Sequence, residues 1–111
     1  MKFVITGGAG FIGSHIAKHL VEKNHDVIVV DNLSRGRLEN LSKIKEQIEF
    51  KKMDILDFDS LKKVIFNSDG IFHQAALTSV PESFTQKEKY HNVNVKGTEN
   101  IFKLAKEFRK K

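Results

Sequence analysis

Three glycines, Gly7, Gly10 and Gly13 in "FVITGGAGFIGSHIAKHL" (residues 3–20), constrain this chain more than any other feature. Phe3, Val4 and Ile5 form a short apolar run that stops at the glycines, as a strand buried on both faces does. From Phe11 onward, apolar residues recur at Ile12, Ile16, Ala17, Leu20 and Val21, a helical stripe that ends near Lys23 and Asn24. A turn with so little side chain between a strand and a helix suits a phosphate, and two chemistries compete for it. Gly8 and Gly13 have the spacing of a mononucleotide phosphate loop, but Ser14 stands where that loop needs its lysine. A dinucleotide turn needs none: its first glycine permits the bend, its second admits a pyrophosphate to the backbone, and its third lets the helix pack against the strand. Gly7, Gly10 and Gly13 fit those roles. The helix N-terminus adds the N–H groups of Phe11 and Ile12 and the positive end of its dipole.

Glycines alone also describe a turn that binds nothing, and the next element narrows the choice. "DVIVVD" (residues 26–31) reads as a second doubly buried strand ending at Asp31, eighteen residues after Gly13. An acid there can accept hydrogen bonds from both ribose hydroxyls of an adenosine, the alternative being a plain cap at a strand end. The same carboxylate would repel a 2′-phosphate, which favours NAD over NADP, while Arg35 and Arg37 nearby leave dual use open.

"NLSRGRLENL" then reads as a polar loop with a helical turn at Arg37–Leu41, and "IEFKKMD" as a third strand whose Lys51 and Lys52 mark an edge. Asp57 can cap a helix with apolar positions Leu61, Val64 and Ile65. "GIFHQAA" (Gly70 to Ala76) gives a fourth strand, and Val95, Ile101, Phe102, Ala105 and Phe108 recur at helical spacing in a last helix. Four β-α repeats with right-handed crossovers predict an α/β, Rossmann-like parallel sheet, order 3-2-1-4, with helices on both faces, in one domain over residues 1–111.

Composition removes other classes. Cysteine is absent, so there is neither a disulfide framework nor a thiolate metal site, and a reducing, cytoplasmic setting is expected. No stretch approaches the roughly 18 apolar residues of a membrane span, and residues 1–6 run straight into a strand rather than a signal sequence. The net charge of +5 is spread among acidic residues except at Lys103, Lys106, Arg109, Lys110 and Lys111, where cations complement a helix dipole; no nucleic-acid partner is expected. His15 and His19 lie four apart on one helix without a third ligand, so no metal site is expected, and His73 reads as a buried hydrogen-bonded residue.

With "TGGAGFIGSH", "VVDNLSRGRLENL", "MDI", "HQAALTSVPES" and "NVNVKGTENI" in order, the chain resembles the extended short-chain dehydrogenase/reductase family. Within it, the similarity is to the NAD-dependent nucleotide-sugar epimerase and dehydratase group, most closely the UDP-glucose 4-epimerases. The resemblance implies that Asn32, Ser34, Arg35 and Gly36 lie along the adenosine ribose and that Asp54 and Ile55 hold the adenine. It further implies that Gln74, Ala75, Ala76, Leu77 and Thr78 line the cofactor and that Asn94 helps fix the strand-four region. Thr78 to Ser83 would border a sugar-nucleotide pocket, or else form a turn before a helix.

The family's catalytic Tyr-x-x-x-Lys pair has no match: the single tyrosine is Tyr90, and Asn94 stands four residues later, so no catalytic residue is assigned. The expectation is therefore the NAD-binding, N-terminal portion of a sugar-nucleotide 4-epimerase, ending before a fifth strand, inactive alone and meeting its nucleotide-sugar substrate only in a complete enzyme. A stand-alone dinucleotide-binding or interaction module and a fragment of a dehydratase are the competing readings. Such an ending would expose the edge of strand four and Ile101, Phe102 or Phe108 on the last helix, predicting self-association.

Overall fold

Four consecutive apolar residues, Val27 to Val30, can all be buried only in a strand covered on both faces. The computed structural model, which describes residues 1–34, 36–74 and 92–108, builds the sheet around them. The elements in chain order are β1 (Lys2–Thr6), α1 (Phe11–Glu22), β2 (Asp26–Asp31), a 3₁₀ turn (Leu38–Leu41) and β3 (Ile48–Lys52). α2 (Phe58–Phe66), β4 (Gly70–His73), a π-type turn (Asn92–Gly97) and α3 (Thr98–Glu107) follow. All pairings are parallel and the strand order is β3-β2-β1-β4, as the βαβ pattern predicts. The expected end of the fourth strand, Ala75 and Ala76, lies outside the described residues.

The two-residue period of β2 divides the core. Ile28 and Val30 join Val4, Leu61, Val64, Ile65, Ile101 and Leu104 on the face covered by α2 and α3. Val27 and Val29 join Ile5, Ala17, Leu20, Leu41 and Ile44 on the face covered by α1 and the 3₁₀ turn. Local signals set the helix limits. Asp57 caps α2, its carboxylate accepting from the Ser60 N–H at 3.3 Å and the Ser60 hydroxyl at 2.7 Å, a cap worth about 1 kcal/mol. α1 ends where Asn24 turns left-handed at φ 64°, with Asn24 N–H donating to the Val21 carbonyl and His25 N–H to that of Leu20, both at 3.0 Å.

The last helix corrects the sequence expectation. Ile101 and Leu104 are its buried residues, whereas Phe102 is 69% and Val95 41% exposed. Phe102 lies one residue, or about 100°, around the helix from Ile101 and so leaves the face that 101, 104, 105 and 108 share. Val95 falls in the π-type turn, whose wider winding breaks the 3.6-residue phase. Phe108 is half-buried and meets Phe66 edge-on at 5.2 Å. The expectation that Ile101, Phe102 or Phe108 stands at the surface is met at Phe102, while Ile101 is in the core. Arg109, Lys110 and Lys111 lie outside the described residues.

Truncating Leu104 to Ala should cost about 2–5 kcal/mol in urea denaturation, and Phe102→Ala less than about 0.5 kcal/mol. Similar losses at both positions would contradict this assignment of faces.

Candidate functional site

The first turn is shaped by close approaches that leave no room for side chains. Gly7 has φ 68°, left-handed, and its N–H donates to the Val30 carbonyl at 2.7 Å, tying the turn to β2. A Cβ at position 13 would stand 2.3 Å from the Gly7 oxygen and 2.8 Å from the Gly8 Cα, so α1 rests directly on the turn's backbone. Gly10 is the extended N-cap of α1, its N–H on the Gly7 carbonyl at 3.1 Å, and no side chain caps the helix. Ser14 turns inward: its hydroxyl donates to the Phe11 carbonyl at 2.9 Å and its N–H to that of Gly10. The first-turn N–H groups of Phe11 and Ile12 have no place in the helical ladder, and both side chains are exposed. Gly8, matched in the sequence only to a mononucleotide loop, has a role of its own, since a Cβ there would meet Val29 Cγ1 at 2.6 Å.

Asp31 ends β2 with its side chain turned under this turn and only 7% exposed. Its Oδ2 accepts the Ala9 N–H at 3.0 Å and its Oδ1 the Leu33 N–H at 2.7 Å, the latter holding Leu33 at a left-handed φ of 63°. Each oxygen keeps a second lone pair, so the carboxylate can cap these loops and still accept from a ligand. The loop after β2 then folds back across it. A Cβ at Gly36 would stand 2.6 Å from Asp31 Oδ2 and 2.9 Å from the Ala9 Cβ.

Asn32, Ser34 and Asp54 gather beside the loop. Asn32 Oδ1 accepts the Ser34 N–H at 3.0 Å, and its Nδ2 approaches Asp54 Oδ2 at 3.5 Å. Asp54 Oδ1 accepts the Leu56 N–H at 2.9 Å. Ile55 departs from this group: its side chain is in the core, and its carbonyl accepts from Asn100 Nδ2 at 3.0 Å. Gln74 follows β4 with its N–H on the Thr6 carbonyl at 2.9 Å, and Asn94 lies half-buried in the π-type turn. Arg35, Ala75, Ala76, Leu77, Thr78, Pro81, Ser83 and Tyr90 lie outside the described residues.

His73 links three elements. Its Nδ1 lies 2.6 Å from Thr6 Oγ1 on β1 and its Nε2 2.8 Å from Thr98 Oγ1 at the start of α3. Burial lowers its pKa and keeps the ring neutral, one nitrogen donating and the other accepting. His15 and His19 are exposed, and among the described residues no three His, Cys, Asp or Glu side chains cluster to hold a metal. No helix of the described residues is long and apolar enough to cross a membrane.

The turn and Asp31 sit at the carboxyl ends of β1 and β2, beside the boundary of β1 and β4 where the strand order reverses, the place where open parallel sheets receive ligands. A sheet wound in this order, with a glycine turn packed under its first helix, defines a Rossmann-like domain. The chain belongs to the NAD-dependent epimerase/dehydratase family: the family model described as GDP-mannose 4,6 dehydratase matches residues 4–111. A putative UDP-glucose 4-epimerase of Methanocaldococcus jannaschii is 41% identical over 106 residues, 95% of this chain and 34% of that protein. The crystal structure of UDP-glucose 4-epimerase with UDP-glucose from Thermotoga maritima superposes with a TM-score of 0.93 at 34% identity, over 100% of this chain and 36% of that one. The Brucella ovis UDP-glucose 4-epimerase in complex with NAD gives 0.86 at 34% identity, over 97% and 33%. The chain thus spans about a third of the length of the relatives it matches.

The pH dependence of stability tests the histidine link. With the folded pKa of His73 below its unfolded value of about 6.5, the unfolded chain binds the extra proton first. His73 should therefore contribute its full stability above about pH 6.5 and lose it as pH falls toward the folded pKa. His73→Asn should be less sensitive to acid over that window, and equal acid sensitivity in denaturant titrations of both proteins would contradict the buried neutral ring.

Proposed function

We propose that this chain binds NAD and is the NAD-binding portion of a nucleotide-sugar 4-epimerase of the UDP-glucose/UDP-galactose type. The observation that carries this reading is the buried Asp31 carboxylate beneath the glycine turn, with lone pairs left over after Ala9 and Leu33 are served. The fit is physical: Gly13 and Gly36 leave backbone where side chains would stand, and α1 presents N–H groups at its positive end. The N–H groups of Phe11 and Ile12 would hold the diphosphate beside Gly7, Gly10 and Gly13. Asp31 would accept from the adenosine ribose, with Asn32, Ser34, Arg35 and Gly36 along it, and Asp54 with the Ile55 N–H would meet the adenine. Gln74 to Thr78 would continue the cofactor wall beyond β4, with Asn94 supporting it. The chemistry that NAD supplies when bound is reversible hydride transfer at the sugar's C4. The names of the relatives support the substrate class, and a NAD complex of one relative supports the cofactor.

Selectivity follows from charge. A 2′-phosphate about 4 Å from the Asp31 carboxylate would be repelled by roughly 4 kcal/mol per pair of unit charges at the effective dielectric near a surface. A cytoplasmic setting and self-association through the edge of β4 and the exposed Phe102 of α3 complete the proposal.

Calorimetric titration with NAD, NADP and ADP-ribose tests it. The chain should bind NAD and ADP-ribose and discriminate against NADP, and Asp31→Ala should lower NAD affinity about tenfold or more while bringing the NAD/NADP ratio toward one. A folded chain that takes up none of the three, or an Asp31→Ala protein that still prefers NAD, would refute the assignment. Sedimentation should show reversible association, and a monomer at all concentrations would count against that part.

A further inference from the structure

We propose that Asn40 is a positioning residue for the diphosphate turn: its carboxamide fixes the Ala9 peptide, and through it the aim of the amides that open α1. The inference rests on the NAD reading above. Ala9 is fully buried between Gly8 and Gly10, two residues that leave a peptide free to rotate. Three hydrogen bonds remove that freedom. The Ala9 N–H donates to Asp31 Oδ2 at 3.0 Å, and the Ala9 carbonyl accepts from the Arg37 N–H at 3.0 Å and from Asn40 Nδ2 at 2.8 Å, which uses both of its lone pairs.

A trans peptide is planar, so its carbonyl and the next N–H point in opposite directions. Holding the Ala9 carbonyl toward Asn40 therefore turns the Gly10 N–H the other way, where it donates to the Gly7 carbonyl at 3.1 Å. Gly10 is the N-cap of α1 and has no side-chain cap, so its orientation sets how the Phe11 and Ile12 amides enter the helix. Asn40 is placed firmly enough for this task. It lies in the 3₁₀ turn Leu38–Leu41, its own N–H donates to the Arg37 carbonyl at 3.0 Å, and the next residue, Leu41, is buried in the core cluster that includes Ala17 and Leu20 of α1. The same elements that cover the core thus supply a side-chain donor to the ligand turn.

NAD titrations of the wild type, Asn40→Ala and Asn40→Asp between about pH 8 and about pH 3.5, with thermal unfolding of each, test the proposal. Asn40→Ala should stay folded and bind NAD about tenfold more weakly. Asn40→Asp should be weaker still at the higher pH, where a carboxylate faces the Ala9 carbonyl, and should recover relative to wild type on acidification, when the protonated acid can donate again. A role in folding alone would lower the melting temperature without this pH-selective recovery. In the wild type, where no variant can fail to fold, NAD should slow exchange of the Asn40 side-chain amide protons and shift their signals. Asn40→Ala binding within twofold of wild type, an Asn40→Asp deficit that ignores pH, or Asn40 signals unmoved by bound NAD would overturn the proposal. A folded wild type that does not bind NAD would instead overturn the cofactor reading, and this inference with it.

Discussion

A helix that stands directly on the backbone of its own preceding turn is the constraint from which this structure proceeds. The contact of Gly13 with the Gly7 carbonyl and the Gly8 Cα brings the N-terminus of α1 down to the carboxyl end of β1, and any side chain at position 13 would lift it away. The remaining geometry answers to that approach. Gly8 is confined by Val29, Gly7 must adopt a left-handed φ, and the turn is tied to β2 through the Val30 carbonyl. Close packing and the presentation of free amides are here one requirement, because the helix that fills the core face also delivers its unpaired N–H groups to the rim.

Asp31 shows how a charged group is kept near that rim. A carboxylate only 7% exposed would be costly without partners, and here two backbone N–H groups approach it, one for each oxygen. The acid thereby organises two loops, the glycine turn through Ala9 and the left-handed Leu33 bend. Each oxygen keeps a lone pair after serving its loop, so a strand-end cap and a ribose acceptor would be compatible descriptions of one group rather than rivals.

Much of this was legible in the chain itself, and the exceptions have physical causes. Continuous apolar runs at Val4–Ile5 and Val27–Val30 announce doubly covered strands, and the strand order follows from handed crossovers. The glycine spacing and Asp31 marked the turn and the acid beneath it because they are local in sequence. Long-range side-chain bonds were not legible. Asn40 reaches Ala9 across 31 positions, and His73 joins Thr6 and Thr98, pairings that exist only once the sheet has formed. The run of apolar positions at helical spacing took in Phe102, whose phase leaves the face that Ile101 and Leu104 share, and Val95, which the π-type turn takes out of that phase. "N-L" at positions 40–41 carried a signal that could have been read: a buried leucine in a short turn fixes its polar neighbour.

The two borders of the described sheet are unequal. β3 carries Glu49, Lys51 and Lys52, all exposed, with Lys51 paired to Glu49 at 3.1 Å. β4 reads Gly-Ile-Phe-His and carries no ionised side chain. A strand at the β3 border would meet exposed lysines, whereas the described part of β4 offers Phe72, with the His73 ring turned onto Thr6 and Thr98. Among the described residues the two borders thus differ in charge, and a strand added at one would meet a different surface from a strand added at the other.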